Sequence, residues 1–246
     1  MYKKKQIIRN KLNKLFNSLK IRKNDNIFLH SNIAGVLQHD DITKNQACGV
    51  LYNFLKDKIG TKGTLIIPTY SYAFTKKNLF DLKKTKSETG YFSNYLINKY
   101  YKNRTYDPIF SHLVFGKVDK YKKKEIETEA FGKNSIFKKI LKNKFKILCF
   151  CCSTNNITFL HYIEKKAQTN YRYHKYFKGR VIINNKKYDI NYKYFVRKKS
   201  PNLTIKENKI YSLIENNKFN ATDFGRFKCY SVENDFLYKK IYNKIL

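Results

Sequence analysis

Residues 26–68 read NIFLHSNIAGVLQHDDITKNQACGVLYNFLKDKIGTKGTLIIP, and this stretch decides the fold class. Residues 26–31 are a short apolar run ending in polar groups, the pattern of a buried strand. Thr43-Lys-Asn-Gln46 is a capping box, in which the Thr hydroxyl and the Gln amide each satisfy a backbone N–H at a helix start. Ala47, Val50, Leu51, Phe54 and Leu55 then fall on one helix face, and Gly60 sits where such a helix ends. Residues 63–68 form a second apolar run. Strand, helix, strand in this order predicts a parallel pair.

Toward the N-terminus, Ile8, Leu12, Leu15, Phe16 and Leu19 recur at helical spacing and predict an amphipathic helix laid on a core. Toward the C-terminus, the polar stretch 70–88 is too long for a simple connector and marks a functional segment. Beyond it the pattern predicts a helix over 90–101, a strand over 111–115, a helix over 135–141, a strand over 145–152 and a helix over 158–166. Past residue 178 the texture changes. Residues 181–183 and 188–190 flank Asn184-Asn185, a hairpin with positive-φ residues in its turn, and 192–196 adds a third strand. Residues 203–246 alternate helical and short extended pieces. The expected fold is α/β, an αβα-type layered arrangement with a central, mostly parallel sheet and a small β-rich insertion or C-terminal extension. It is read as one domain over 1–246, with a core of about 1–170 and a hairpin and helical part of about 178–246.

Composition narrows the function. The 246 residues carry 52 Lys and Arg against 18 Asp and Glu, a formal charge of +34. Such charge suits a polyanionic partner, nucleic acid or an anionic membrane surface, and argues against a site built for polycations. No nucleic-acid-binding motif is present, however, and the basic residues are dispersed with the abundant Asn, Ile and Tyr, as coding pressure would spread them. A basic nucleic-acid-binding protein is therefore the weaker alternative. No apolar run approaches the ~20 residues needed to cross a bilayer, and the start MYKKKQIIRNKLNKLF lacks the apolar region of a signal peptide. Five cysteines, 48, 149, 151, 152 and 229, show no framework spacing and read as reduced thiols of a cytoplasmic protein, packed in the core. A zinc site lacks a second ligand pair, so no metal is expected. The nine glycines form neither GxxxxGK nor GxGxxG, so cofactor phosphates must be bound in another way.

Four segments place polar groups where strands end, the edge at which open α/β sheets bind ligands. They are His30-Ser31-Asn32, Pro68-Thr69-Tyr70-Ser71, Asp107-Pro108-Ile109-Phe110-Ser111-His112 and Thr158-Phe159-Leu160-His161-Tyr162-Ile163-Glu164. Taken in order, and with Gly60 to Ser71, Phe80-Asp81, Thr85, Ser87-Glu-Thr-Gly90, Arg104 to Gly116 and Phe131-Gly-Lys-Asn-Ser135, they resemble the aminoglycoside 3-N-acetyltransferase superfamily. The match covers roughly residues 8–170.

The resemblance implies acetyl-CoA-dependent transfer of an acetyl group to a primary amine, with no metal. An amine attacking a thioester must be unprotonated, and histidine is the side chain suited to accepting that proton near neutrality. The expected catalytic residues are His161, as general base in a direct transfer, and Glu164, one turn on along the same helix face, which orients it or contacts the acceptor. The resemblance places acetyl-CoA against His30, Ser31, Asn32, Thr69, Tyr70, Ser71 and Ser111. Backbone amides in the turns around Ser31 and from Thr69 to Ser71 are the expected donors to the oxyanion. Asp81, Asp107 and His112 are the expected acceptor contacts. Where the family reads His-Pro-x-His-Ser, this chain reads Asp107-Pro108-Ile109-Phe110-Ser111. His112 faces the same side as Phe110 on a strand, and either substitutes in part for the missing histidine or is simply packed.

The acceptor follows from charge. A pocket for a polycationic aminoglycoside should be rich in carboxylates, and this chain is poor in them. The expected substrate is instead an amino sugar carried on a nucleotide, as in surface-polysaccharide, O-antigen or lipopolysaccharide synthesis. The stretch 171–178, YRYHKYFK, is a candidate for stacking on the base, or a solvated loop. Aminoglycoside 3-N-acetylation is the alternative. The partners expected are these small molecules, with no nucleic acid and no stable membrane insertion. The oligomeric state is left open, a homodimer among the options.

Overall fold

The structure, a computed structural model, describes residues 2–39, 41–117, 125–198 and 219–245. Helix α1 (Tyr2–Ser18) buries Ile8, Leu12, Leu15 and Phe16 and is held to α3 (Lys44–Ile59) by an Arg9–Asp57 ion pair of 2.6 Å. The capping box of α3 forms as its sequence requires. The Gln46 amide N–H donates to Thr43 Oγ1 at 3.2 Å, and the Thr43 N–H donates to Gln46 Oε1 at 2.9 Å. Gly60 ends the helix at φ 55°, a conformation open chiefly to glycine.

The other elements are β1 (Asn26–Ser31), α2 (Ala34–Leu37), β2 (Thr64–Pro68), α4 (Ala73–Lys77), β3 (Leu79–Asp81), α5 (Tyr91–Tyr100), β4 (His112–Gly116), α6 (Ile136–Lys142) and β5 (Phe145–Phe150). They continue with α7 (Phe159–Lys166), β6 (Arg172–Ile183), β7 (Lys186–Arg197), β8 (Asn220–Phe224), β9 (Phe227–Glu233) and α8 (Asn234–Ile245). Six strands form the main sheet in the order β4-β2-β1-β5-β9-β8. The expected parallel pair is present, with Ile27 opposite Leu65 and Phe28 opposite Ile66, and β5 lies parallel on the other side of β1. The three outer pairings are antiparallel, so parallel character is confined to β2-β1-β5 and the sheet is mixed.

Strand alternation sorts the core into two layers. Phe28, Ile66, Val114 and Ile147 face one side, with residues of α6, α7, α8 and the β6–β7 hairpin. Ile27, Leu29, Leu65, Leu113 and Leu148 face the other, with α1, α3 and α5. This is the layered α/β arrangement expected. Strands β3, β6 and β7 make a separate three-stranded sheet. Asn184 and Asn185 turn its hairpin at φ 49° and 66°, as the Asn-Asn pair predicts. The separate strand expected over 192–196 is the continuation of β7. The polar stretch 70–88 folds into α4 and β3, and β3 pairs parallel with β6.

One boundary changes. The strand expected to run to residue 152 stops at Phe150, because Cys151 turns into the left-handed region at φ 56°. The first part of the tail, 203–218, lies outside the described residues. The remainder supplies β8, β9 and α8, and β9 pairs antiparallel with β5, Cys149 opposite Tyr230.

Candidate active site

A cleft of about 590 Å³ opens at the carboxyl ends of β1 and β2, where parallel strands deliver side chains. His30, Ser31, Asn32, Pro68 and Tyr70 line it from those strands, Thr89 to Ser93 from the start of α5, and Cys152, Asn155, Asn156 and Thr158 from the connection after β5. Ile33, Ile67 and Phe92 add apolar wall. An extended chain of amides and methylenes ending in a thioester, the reactive arm of acetyl-CoA, fits such a lining. His30 is 7% exposed and its Nε2 has no hydrogen-bond partner. Burial pulls its pKa down to about 3. His30 therefore stands behind the cleft wall as a neutral imidazole whose buried Nε2 is unused.

Thr69, Ser71 and Ser111 are fully buried just behind, and Arg104 ties the first and last of them together. Its Nε donates to Ser111 Oγ at 2.9 Å and Thr69 Oγ1 at 3.1 Å. Its Nη2 donates to the Thr69 carbonyl at 2.7 Å, and its Nη1 to those of Thr85 and Leu82 at 2.8 and 3.2 Å. Three of the backbone amides in the turns expected to serve an oxyanion are committed elsewhere. Asn32 N–H donates to Phe150 O at 2.9 Å, Thr69 N–H to Ser111 O at 2.9 Å and Ser71 N–H to Ile109 O at 3.0 Å. The cleft-lining side chains of Ser31 and Asn32 are further groups of donor type.

His161 stands one turn beyond Thr158 on α7, its amide bonded to the Thr158 carbonyl at 3.0 Å. Its side chain is 39% exposed, whereas that of Glu164 is 5% exposed. His161 Nδ1 lies 2.8 Å from Glu164 Oε2, and Arg172 Nη2 lies 2.6 Å from the same oxygen and 2.8 Å from Nδ1. A guanidinium has only donors, and a carboxylate is a far better acceptor for it than a neutral ring nitrogen. The Arg172 bond is therefore to Glu164, the Nδ1 proton also points to Glu164, and Nε2 keeps its lone pair. The Tyr171 hydroxyl donates to Glu164 Oε1 at 3.0 Å. Burial works against the Glu164 charge, but the His161 bond, the Arg172 charge and the Tyr171 hydroxyl together hold its carboxyl below the usual range.

The remaining expected contacts lie elsewhere. Asp81 Oδ1 accepts the amides of Lys83 and Lys84 at 2.8 and 2.9 Å. Asp107 is 5% exposed and its Oδ1 accepts from the Ile109 and Phe110 amides at 2.9 and 2.7 Å and from the Tyr192 hydroxyl at 2.8 Å. His112 is fully buried, with Nε2 2.9 Å from the Tyr70 hydroxyl. Burial and the neighbouring His30 push its pKa well down. Phe110 packs edge-on against Tyr70 and near Phe131 in an aromatic cluster. Phe131 in turn lies 6.1 Å from His161, ring to ring. The segment 171–178 is strand β6 from Arg172 onward, with Tyr173 and Tyr176 exposed on it.

Three residues beside His161 or the cleft were given no individual role in the sequence reading. Arg172 and Tyr171 sat in the aromatic-basic stretch with nothing to show that two of its residues turn back to α7. Among the described residues Glu88 is the one charged side chain lining the cleft and no Lys or Arg lines it, though Lys76 Nζ pairs with Glu88 Oε2 at 3.6 Å. Its Oε1 accepts the Tyr72 amide at 2.6 Å. The charge of +34 is thus not gathered in the cleft. Among the described residues no cluster of His, Cys, Asp and Glu is arranged to hold a metal ion, and no helix is long and apolar enough to cross a membrane.

The sequence profile of the aminoglycoside 3-N-acetyltransferase family matches residues 43–240. No curated protein sequence matches the chain. Among solved structures, aminoglycoside acetyltransferase AAC(3)-Xa superposes with a TM-score of 0.79 at 12% identity, covering 96% of this chain and 91% of that one. AAC-VIa with sisomicin bound gives 0.78 at 14% identity over 98% of both chains. AAC-IIIb in a binary complex with CoASH gives 0.77 at 14% identity, covering 96% and 95%.

Proposed function

The chain belongs to the aminoglycoside 3-N-acetyltransferase family and is an acetyl-CoA-dependent N-acetyltransferase; from that premise we propose that its acceptor is an amine of an aminoglycoside-like amino sugar, with His161 as the base. The observation that carries this reading is the local charge of the cleft. Among the described residues its one charged lining residue is the carboxylate Glu88, and no basic residue lines it. Lys76 pairs with Glu88 at 3.6 Å, both side chains being exposed, so the carboxylate is offset in part, and a cationic acceptor meets no lining cation that repels it, since salt screens exposed charges beyond ~8–10 Å.

The residues divide the work as follows. The cleft at Ser31, Asn32 and Tyr70 holds the reactive arm of acetyl-CoA with its thioester toward α7. His161 Nε2 takes a proton from the incoming ammonium while Glu164 holds Nδ1–H and so fixes the tautomer. The amine lone pair attacks the thioester carbonyl, and hydroxyl and amide side chains at the cleft wall steady the oxyanion. Collapse of the intermediate expels the CoA thiolate, which takes up the second proton that the nitrogen must lose, and leaves the amide and the CoA thiol. Transfer is direct, in a ternary complex. Arg172, buried beside Glu164, keeps the carboxylate ionised and in place.

A nucleotide-linked amino sugar of surface-polysaccharide synthesis is the second reading, favoured by the overall charge of +34. Either reaction suits a cytoplasmic enzyme, where acetyl-CoA is made. The deciding experiment incubates the protein with acetyl-CoA and, separately, an aminoglycoside and a panel of nucleotide-linked amino sugars, following CoA thiol release and product mass. Acetylation of the aminoglycoside alone supports the first reading. Acetylation of a nucleotide sugar alone replaces it with the second, and turnover of neither defeats both.

A further inference from the structure

Residues 110, 112 and 114 alternate onto one face, and Phe110 and Val114 are ordinary core residues of it. His112 between them is fully buried, with the rings of Tyr70, Phe137 and Phe28 at 5.0, 5.3 and 5.7 Å. Phenylalanine would fill such a place without the cost of burying a polar ring. What the imidazole adds is a bond of 2.9 Å between its Nε2 and the Tyr70 hydroxyl. Tyr70 is held by its backbone as well. His112 pairs with Pro68 in the β2–β4 register, and the Thr69 and Ser71 amides on either side of Tyr70 donate to the Ser111 and Ile109 carbonyls. The Tyr70 side chain is 7% exposed and lines the cleft with Ser31, Asn32 and Thr158.

The direction of the bond follows from the other ring nitrogen. Burial keeps His112 neutral, so one nitrogen carries a proton and the other a lone pair. Nδ1 makes no regular hydrogen bond among the described residues, but the group it faces is the Phe110 carbonyl, which can only accept. A proton belongs there, since a lone pair set against a carbonyl oxygen is repelled. Nε2 is then the acceptor, and the Tyr70 phenol, kept protonated by its own burial, gives it its single proton. What Tyr70 can offer the cleft is therefore an accepting oxygen. On that side its neighbour is the Thr158 hydroxyl, which itself donates to the Asn156 carbonyl at 3.3 Å.

We propose that the Tyr70 oxygen accepts an amide N–H of the acetyl-CoA arm and that His112 is the positioning residue that fixes the phenol for it. The inference rests on the placement of acetyl-CoA in this cleft. The arm carries secondary amides, so a cleft that holds it needs well-placed acceptors as well as apolar wall. A hydroxyl that donates one bond accepts the next more strongly, and a phenol proton committed to Nε2 cannot swing round to meet the ligand instead. The arm keeps its amides in the ground and transition states alike, so loss of this contact falls on KM and spares kcat. His112 stays out of contact with the ligand, and its effect passes through Tyr70.

The test titrates the full-length protein with CoA in a calorimeter, which needs no acceptor. Tyr70→Phe should weaken CoA binding about three- to tenfold, the worth of one neutral hydrogen bond. Pantetheine, which has the arm without the nucleotide, should lose the same factor. His112→Phe keeps a ring in the core and should weaken CoA at least about threefold. The double variant should bind no more weakly than Tyr70→Phe alone. Native affinity in Tyr70→Phe, a loss confined to CoA and absent with pantetheine, or losses that multiply in the double variant overturns the proposal. Should a variant not fold, 15N spectra of native protein labelled at histidine decide the direction of the bond: a bare Nε2 on His112 is expected, and a protonated one overturns it. Ser31→Trp fills the cleft from β1 and should abolish CoA binding. CoA binding retained there removes acetyl-CoA from the cleft and takes the proposal with it. Binding lost there beside native affinity in Tyr70→Phe leaves the placement standing and the role of the pair overturned.

Discussion

Glu164 and Arg172, both about 95% buried, meet at 2.6 Å, and His161 shares the same carboxylate oxygen at 2.8 Å. The charge balance of this part of the protein therefore rests on one pair. Glu164→Gln should cost about 3–5 kcal/mol of stability in urea at pH 7, because it leaves the guanidinium buried without its counter-charge. Replacing both, with Glu164→Gln and Arg172→Met together, should recover part of that loss. Equal losses from the single and double variants would show that the pair is not coupled.

The same carboxyl sets an acid limit. Its folded-state pKa lies below the ordinary 4.5, so its contribution is present above that value and is lost as pH falls through the folded one. Native protein should lose stability more steeply than Glu164→Gln below about pH 4.5. Parallel urea midpoints across pH 3–6 for the two proteins would contradict this.

Asp107 has the opposite sign. Burial, opposed by the Phe110, Ile109 and Tyr192 bonds, pushes its carboxyl up from 3.8 to about 7. A raised carboxyl favours folding below its unfolded value, and that contribution is lost as pH rises through the folded one. Asp107→Asn keeps an oxygen for all three donors without the ionisation. It should gain on native protein by about 2–4 kcal/mol between pH 4 and pH 8, with little further change above. A thermal midpoint difference independent of pH would rule out an ionising Asp107.

Arg104 serves acceptors from three segments of chain at once through its planar fork. Lysine offers three donors from one point and cannot span them. Arg104→Lys should therefore cost about 2–4 kcal/mol and raise KM for acetyl-CoA, since Thr69 and Ser111 back the cleft wall. Stability within about 0.5 kcal/mol of native would mean the hub is dispensable.

The sequence made much of this legible because the signals were local. The capping box at Thr43 and Gln46, the apolar runs of β1 and β2 and the Asn184-Asn185 turn each carry their instructions within a few residues. That His161 and Glu164 share a helix face was legible for the same reason, being one helical turn apart. What was hidden depended on distant pairing. Nothing near Phe227 announces that β9 pairs with β5. Arg172 sits among exposed aromatic and basic residues, and only the start of strand β6 turns it toward α7. Donors to a ligand were expected from backbone amides in the turns around Ser31 and from Thr69 to Ser71, and within them tertiary hydrogen bonds to Phe150, Ser111 and Ile109 claim the amides of Asn32, Thr69 and Ser71. Net charge says little of the cleft, since it counts the whole chain, whereas among the described residues the cleft is lined by a single carboxylate.

The most direct measurement of the central claim is steady-state acetyl transfer by the His161→Ala variant, with an acceptor that native protein acetylates. The side chain is 39% exposed, so the fold and the thermal midpoint should hold. The turnover number should fall by about 10²–10⁴, with KM for acetyl-CoA little changed. Turnover within about threefold of native, by a variant of native stability, would contradict His161 as the base.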